Sequence, residues 1–424
     1  VYGMSKNGGI RVIRQLDGKD TKLFTETRDR IFNISLSTSL TEPIETIIGT
    51  GISGTVYWAT ICESTGEVHV GRPDPEKFGF ALPPFKASGE ESSGGVVKTR
   101  ARKSSGHPEF FAVGRGKSIH IIWPSVIIKQ GYLRDGPERV VDTEKYLNHR
   151  SLKINTGKAG KDFTFSQDDT TIVSLDKAGR VKFWDVRTLT NTDRGTETKY
   201  PTPEQIQPVE ITEPLMMLIT TRANEKSWPT SVLFVDKLRP YQKGGALRYL
   251  IIGMKQNHTL QLWDLALGKP VQELHLPHDK ESDAVCSVVY HALTGMIVVG
   301  HPTRNSIYFI HLSSPRYNLP KTMSQAEFVQ RIVSGDSTLP KPEATAVMSG
   351  IREFSFSNKG SLRSLDILPS PSSSSSDLED PSLFELYAMH SKGVTCITVR
   401  QEDLGWNKDN RVIFHVNAEE DGLI

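Results

Sequence analysis

Apolar residues along this chain come in short runs rich in β-branched and aromatic side chains, separated by Gly, Asn, Asp and Pro. Helical spacing is scarce, and runs of this kind bounded by turn formers read as β-strands. Several close on an aromatic side chain: Thr55-Val56-Tyr57-Trp58, Ile119-His120-Ile121-Ile122-Trp123, Val181-Lys182-Phe183-Trp184 and Leu260-Gln261-Leu262-Trp263. Ser306-Ile307-Tyr308-Phe309 has the same shape without tryptophan.

The segments before these runs correspond as well. Phe163 to Phe165, Thr171 to Leu175 and Val181 to Trp184 read as three strands joined by tight turns. Ser231 to Phe234, Tyr249 to Gly253 and Leu260 to Trp263 repeat the plan, as do Val285 to Tyr290, Met296 to Gly300 and Ser306 to Ile310. Short antiparallel strands in repeated units make propeller blades, and WD repeats carry a Trp-Asp pair at the end of the third strand. Trp184-Asp185 and Trp263-Asp264 supply that pair, and Trp58 and Trp123 close the corresponding strands without it. Third strands are expected at 10–16, 55–59, 118–123, 180–184, 259–264, 305–310 and 383–388, which predicts an all-β, seven-bladed WD-repeat β-propeller.

The tryptophans at 58, 123, 184 and 263 recur more widely than the roughly 40–45 residues of a WD repeat. Long inter-strand insertions are therefore expected near 71–108, 188–211, 237–247, 313–347 and 367–382. The fourth holds one short helix, opened by Ser324 with Glu327 as a capping box. Residues 1–424 read as one propeller domain, with the tail 401–424 a candidate to lie outside it. Gly393 to Val399 is in position to return and complete the first blade.

Composition changes this picture little. Hydrophobic content of 37% and charged content of 24% fit a folded globular chain with long polar loops. The 51 basic and 49 acidic side chains leave a net charge of +2, too small to steer toward phosphate. Lys98, Arg100, Arg102 and Lys103 form the one dense basic run, read as a solvated loop. Cys62, Cys286 and Cys396 lie in apolar stretches and are expected to be buried free thiols in a reducing compartment. The apolar run Ile119 to Ile128 is too short for a membrane span, and no signal peptide opens the chain. Its first residue is Val1, so an excerpt of a longer protein is expected.

Candidate chemistry is sparse. Gly49-Thr50-Gly51-Ile52-Ser53-Gly54 matches the dinucleotide fingerprint by letter, but a strand rather than a helix follows, which favours a hairpin turn. Gly116-Lys117-Ser118 lacks the upstream glycine of a P-loop. His275, His278, Cys286 and His291 match no common zinc spacing. No catalytic, cofactor or metal residues are predicted, and the partner-binding residues stay open. The serine run Ser372 to Ser376, next to Asp377, Glu379 and Asp380, reads as a flexible loop that could accept phosphate.

The order Asp162 to Trp184, Trp228 to Phe234, Arg248 to Gly253, Leu260 to Asp264, Glu327-Phe328-Val329, Gly350 to Phe354 and Leu383 to His390 resembles the N-terminal propeller of the Hedls/Varicose enhancer-of-mRNA-decapping scaffolds. The resemblance implies a non-catalytic scaffold, not an enzyme. It would dock decapping activators and the catalytic subunit in cytoplasmic processing bodies and so promote cap removal and mRNA decay. Any RNA contact would be indirect, no membrane would be involved, and self-association would come from regions beyond this chain. A propeller of a coat or trafficking complex and a direct RNA-binding propeller are the alternatives.

Overall fold

The structure is a computed structural model. It describes residues 1–404 outside 4–5, 14–16, 39–43, 65–66, 70–78, 87–96, 108, 136–138, 191–206, 223–224, 227, 237–245, 281–282, 316, 320–322, 357–359, 369–381 and 401. The expected architecture is present: seven sheets built from up-and-down antiparallel strands make a seven-bladed β-propeller.

Blade 1 is Tyr2–Gly3, Ile10–Ile13 and Asp20–Leu23. Blade 2 is Ile31–Thr38, Ile44–Gly51 and Val56–Ser64, with Glu67–His69 and Phe80–Leu82 both pairing to the last of these. Blade 3 runs Thr99–Lys103, Phe111–Arg115, Ser118–Ile122 and Leu152–Asn155, and Val209–Ile211 then joins in parallel. Blade 4 is Gly160–Phe165, Thr171–Asp176, Arg180–Asp185 and Met216–Ile219. Blade 5 is Pro229–Phe234, Tyr249–Met254, Thr259–Asp264 and Lys269–His275. Blade 6 is Ser287–His291, Met296–His301, Ser306–Ser313 and Val347–Ser355, and blade 7 is Leu362–Leu368, Ser382–His390 and Gly393–Arg400.

Two compact units contain these blades. Val1–Met217 with Ser324–Gln330 forms one, and Leu218–Met323 with Arg331–Ile424 the other. In the first, one core joins blades 1 and 2 through Ile10, Ile47 and Tyr57, and a larger one joins blades 2 to 4 through Phe80, Phe111, Phe163 and Trp184. In the second, Tyr249, Leu262, Ile297 and Ile310 join blades 5 and 6, and Val298, Phe309, Phe384 and Leu386 join blades 6 and 7. Middle strands Thr171–Asp176, Tyr249–Met254 and Met296–His301 are buried at every position, which explains their near-continuous apolar sequence.

Several expectations shift. The basic run is not a loop: Thr99–Lys103 is an edge strand of blade 3, with Thr99 and Ala101 buried and the charged side chains between them more open. That alternation has the strand period of two. Parts of the expected 71–108 and 188–211 insertions are likewise blade strands, Phe80–Leu82 and Val209–Ile211. Runs 10–16 and 383–388 hold middle rather than third strands of three-stranded sheets. Gly393–Arg400 pairs with Ser382–His390 across a two-residue turn, a local hairpin that closes a short loop.

The helix near 324 is present as Gln325–Val333, with Ser324 Oγ accepting from Glu327 N at 3.2 Å. Phe328 and Val329 are buried, whereas Val333 is 57% exposed. Pro124–Lys129, Thr143–Arg150 and Arg187–Thr190 are further short helices among the described residues. Their sequence signals are Pro124 at the first turn and Asp142 capping Lys145 N at 3.1 Å. Cys286 is buried, but Cys396 is exposed on an outer strand whose only fully buried position is Val399. The Cys62 side chain and the serine run lie outside the described residues. Of the tail, Glu402–Leu404 is a short 3-10 turn whose Leu404 packs into the core of blades 6 and 7. Among the described residues, no helix is long and apolar enough to cross a membrane.

Candidate interaction site

The tryptophans expected to close the blade strands sit in different surroundings. Trp184 is fully buried, and its indole Nε1 donates to Ser174 Oγ at 2.8 Å on the neighbouring strand. Trp263 donates to Gln261 Oε1 at 3.1 Å. Trp123 lies just beyond its strand and donates to the Leu189 carbonyl at 3.1 Å. Trp58 sits early in its strand, opposite Ile48, and stacks on Phe80 with ring centroids 5.1 Å apart. Asp185 caps the short helix after the third strand of blade 4, accepting from Arg187 N at 3.1 Å. Asp264 is fully buried and accepts from both Arg248 nitrogens, at 2.9 and 2.8 Å, and from Thr345 Oγ1 at 2.6 Å.

The glycine motifs are turns. Residues 49–54 lead from Ile44–Gly51 into Val56–Ser64, and Gly116-Lys117 joins Phe111–Arg115 to Ser118–Ile122, with Gly116 at a φ of 59°. Both sit between strands, so neither presents a helix N-terminus to a phosphate.

A concentration of charge appears where blade 3 meets blade 4. One cleft is lined by Lys98, just before the edge strand of blade 3, by Arg100 within that strand and by Lys161 from the first strand of blade 4. Gly116 and Thr156 lie along its wall. Burial, then nearby Arg100, Lys177 and Lys98, pulls the Lys161 ammonium below its ordinary range. Burial also lowers Arg100, with Asp162 opposing and Arg102 adding to the effect. The two wall carboxylates are engaged elsewhere, Asp162 with Arg102 at 2.6 Å and Asp176 with Arg180 at 2.8 Å. Among the described residues, Lys98, Arg100 and Lys161 form no ion pair, and Lys177 stands close enough to add to the repulsion felt by Lys161. An incoming anionic group would relieve that repulsion.

The sequence signal for half of this cleft was the basic run 98–103. The other half, Lys161, comes from a different blade and gives no signal in linear order. The imidazole and thiol groups behave similarly. His275 and His291 stand apart from Cys286, but Cys286 meets His258 and His301, which no spacing rule connects.

Residues 60–357 match the model of the EDC4-like pdc1 beta-propeller. This chain belongs to that family. A member in Schizosaccharomyces pombe, the enhancer of mRNA-decapping protein 4-like protein pdc1, is 26% identical over 228 residues. That alignment covers 53% of this chain and 20% of the relative, so the chain matches about a fifth of that protein's length. Among solved structures the chain is similar to the WD40 domain of Toxoplasma gondii coronin, at 13% identity and a TM-score of 0.49, over 95% of this chain and 80% of that one. A chain of the mitotic checkpoint complex matches at 11% identity and a TM-score of 0.39, over 73% of this chain and 74% of that one.

Proposed function

We propose that this propeller is a non-catalytic docking scaffold for mRNA decapping. It would gather decapping activators and the catalytic subunit in cytoplasmic processing bodies and so promote cap removal and decay. The observation that carries this reading is the family match over 60–357, together with a relative whose own name is enhancer of mRNA decapping. In this reading 1–424 is one propeller domain, and Trp58, Trp123, Trp184, Asp185, Trp263 and Asp264 are framework positions.

The cleft of Lys98, Arg100 and Lys161, with Lys177 nearby, supports an added detail: partners dock through an acidic peptide segment. Single-stranded RNA usually requires aromatic stacking platforms beside the positive groove. The aromatic lining this cleft, Phe163, is only 3% exposed, which favours a peptide.

The experiment is affinity purification of the tagged chain from nuclease-treated cytoplasmic extract, beside an Arg100→Glu/Lys161→Glu variant. Decapping activators recovered with the parent chain and lost with the variant support both statements. Recovery of activators by both chains keeps the scaffold and removes the cleft from it. Coat subunits, or nothing once RNA is destroyed, would overturn the scaffold in favour of trafficking or RNA binding.

A further inference from the structure

Within the second unit, two turns and one strand start converge on a buried cluster. His258 closes the turn between Tyr249–Met254 and Thr259–Asp264 of blade 5. His301 ends the strand Met296–His301 of blade 6, and Cys286 directly precedes that blade's first strand, Ser287–His291. The three residues are 1%, 0% and 0% exposed for His258, His301 and Cys286. Each offers one nitrogen or sulfur, and these atoms all lie within 4.8 Å of one another.

The backbone holds this arrangement from several sides. Lys255, Gln256 and Asn257 all carry positive φ, between 49° and 64°, which turns the chain tightly before His258. The Asn257 amide fills the space where a Cβ on Gly253 would stand, so glycine is needed there. Asn257 Nδ2 donates to the Cys286 carbonyl at 2.8 Å, and Cys286 N donates to the Gln256 carbonyl at 2.9 Å. Cys286 is thus fixed by the blade 5 turn through both of its peptide groups.

The hydrogen bonds of the two rings assign their tautomers. His258 Nδ1 faces the Lys255 carbonyl at 2.8 Å and must donate to it, which leaves Nε2 as a bare lone pair. That Nε2 is buried and has no hydrogen-bond partner. His301 Nε2 donates to the Pro277 carbonyl at 2.7 Å, and its Nδ1 receives only a long 3.3 Å contact from Arg304 N. An N–H held by a carbonyl with the other nitrogen free, as in His258, is the arrangement of a metal-ligating histidine, and His301 Nδ1 would exchange its bond from Arg304 N for the metal. Leaving such a nitrogen unpaired in an apolar interior otherwise costs free energy with no return.

We infer that His258, Cys286 and His301 form a divalent transition-metal site with zinc-type ligand chemistry, holding the turn of blade 5 to the start of blade 6. Two imidazoles and a thiolate are a borderline-soft donor set that suits zinc. In a tetrahedral zinc centre the donor atoms stand about 3.3–3.7 Å apart, given metal–ligand bonds of about 2.0–2.3 Å. The 4.8 Å limit here is therefore closed by movements of about an ångström. Binding forms one Zn–S bond and two Zn–N bonds, and the Cys286 thiol proton leaves to solvent. His278, whose ring stacks on His258 with centroids 4.7 Å apart, is a further imidazole beside the cluster. These ligands would clamp neighbouring blades, which no disulfide joins among the described residues.

The test uses the whole chain, stripped with a chelator and titrated with cobalt(II) as a spectroscopic stand-in for zinc. One cobalt per chain, with a thiolate-to-cobalt charge-transfer band and the intense visible absorption of four-coordinate cobalt, is expected. Zinc should displace it and raise the thermal midpoint. Cys286→Ser should abolish the charge-transfer band, and Cys396→Ser should leave it unchanged. His258→Gln should weaken binding by more than about tenfold, which keeps the proposal testable if the Cys286 variant does not fold. Failure of the parent chain to take up cobalt or zinc, or an unchanged band in a folded Cys286→Ser chain, would overturn the site.

Discussion

The Trp-Asp pairs of blades 4 and 5 are identical in letters and opposite in what they carry. Trp184 of blade 4 is the more completely buried tryptophan, but its Asp185 is open, with side-chain exposure of 28% against 22% for its partner Arg187 two residues away. In blade 5 the weight is reversed. Asp264 is 0% exposed and forms a two-pronged pair with Arg248, itself 2% exposed. Arg248 also donates to the Ala344 carbonyl at 2.7 Å and lies near the rings of Tyr249 and Tyr317, at 5.0 and 4.7 Å. The same dipeptide serves as a local helix cap in one blade and as the anchor of a buried polar network in the other. Burial sets the energetic role, not the motif.

The sharpest way to break the comparison is to remove one partner in each blade. Asp264→Ala leaves the Arg248 guanidinium buried without its counter-charge and should cost about 3–5 kcal/mol, read as a large drop in the urea midpoint. Replacing both partners, Arg248→Met with Asp264→Leu, should cost less than the single change, because no buried charge remains. If the double variant is as unstable as the single one, the geometry of the pair matters more than its desolvation. In blade 4 the largest effect should move to the ring. Trp184→Ala empties a closed core position and loses the bond to Ser174, for about 3–5 kcal/mol by the same measurement.

These examples show how much of the molecule was legible. Strand runs, blade count and the Trp-Asp closures follow from period-two patterning and turn residues, which are local. Arg248 directly precedes the strand Tyr249–Met254 and Asp264 ends the strand beside it, so their pairing depends on the hairpin alignment Tyr249↔Asp264 rather than on spacing. The cationic cleft needs Lys161 of blade 4 beside Arg100 of blade 3, and the His258, Cys286 and His301 cluster needs two turn tips to meet. Contacts between blades leave no trace in a single sequence. Thr99–Lys103 is a different case, since its alternation was present but masked by the charge of Arg100, Arg102 and Lys103.

A smaller contrast sits inside blade 4, between adjacent carboxylates. Asp168 bonds Ser166 Oγ at 2.7 Å and Gln325 N at 2.8 Å, and Asp169 is fully buried, accepting from Ser105 N and Gly106 N at 2.7 and 3.0 Å. Burial, opposed by those two amides, pushes the Asp169 carboxyl up to about 7. A folded value above the unfolded 3.8 means that the folded chain holds a proton which the unfolded chain has lost between about pH 4 and 7. Stability from this group is therefore greatest below pH 4 and falls as pH rises through 7, with a slope of at most about 1.4 kcal/mol per pH unit. Urea midpoints across that range should decline in the parent chain, and Asp169→Asn should remove this component. A variant with the same slope would assign the decline to other groups.

The smallest effect returns to Asp185. Because the carboxylate and Arg187 are both partly in water, their attraction is shared with solvent and screened by salt, unlike that of Arg248 and Asp264. Asp185→Ala should cost about 1 kcal/mol, mostly from the lost cap on Arg187 N. A double-mutant cycle with Arg187→Ala isolates the ion pair, and its coupling should be about 0.2–1 kcal/mol, shrinking in 1 M salt. The matching cycle on Arg248 and Asp264 should give a larger coupling that salt leaves nearly unchanged, since ions do not reach a pair that is 2% and 0% exposed. Equal couplings in the two blades would mean that the letters Trp-Asp carry a fixed energy after all, and that the burial difference between blades 4 and 5 does not decide what the motif does.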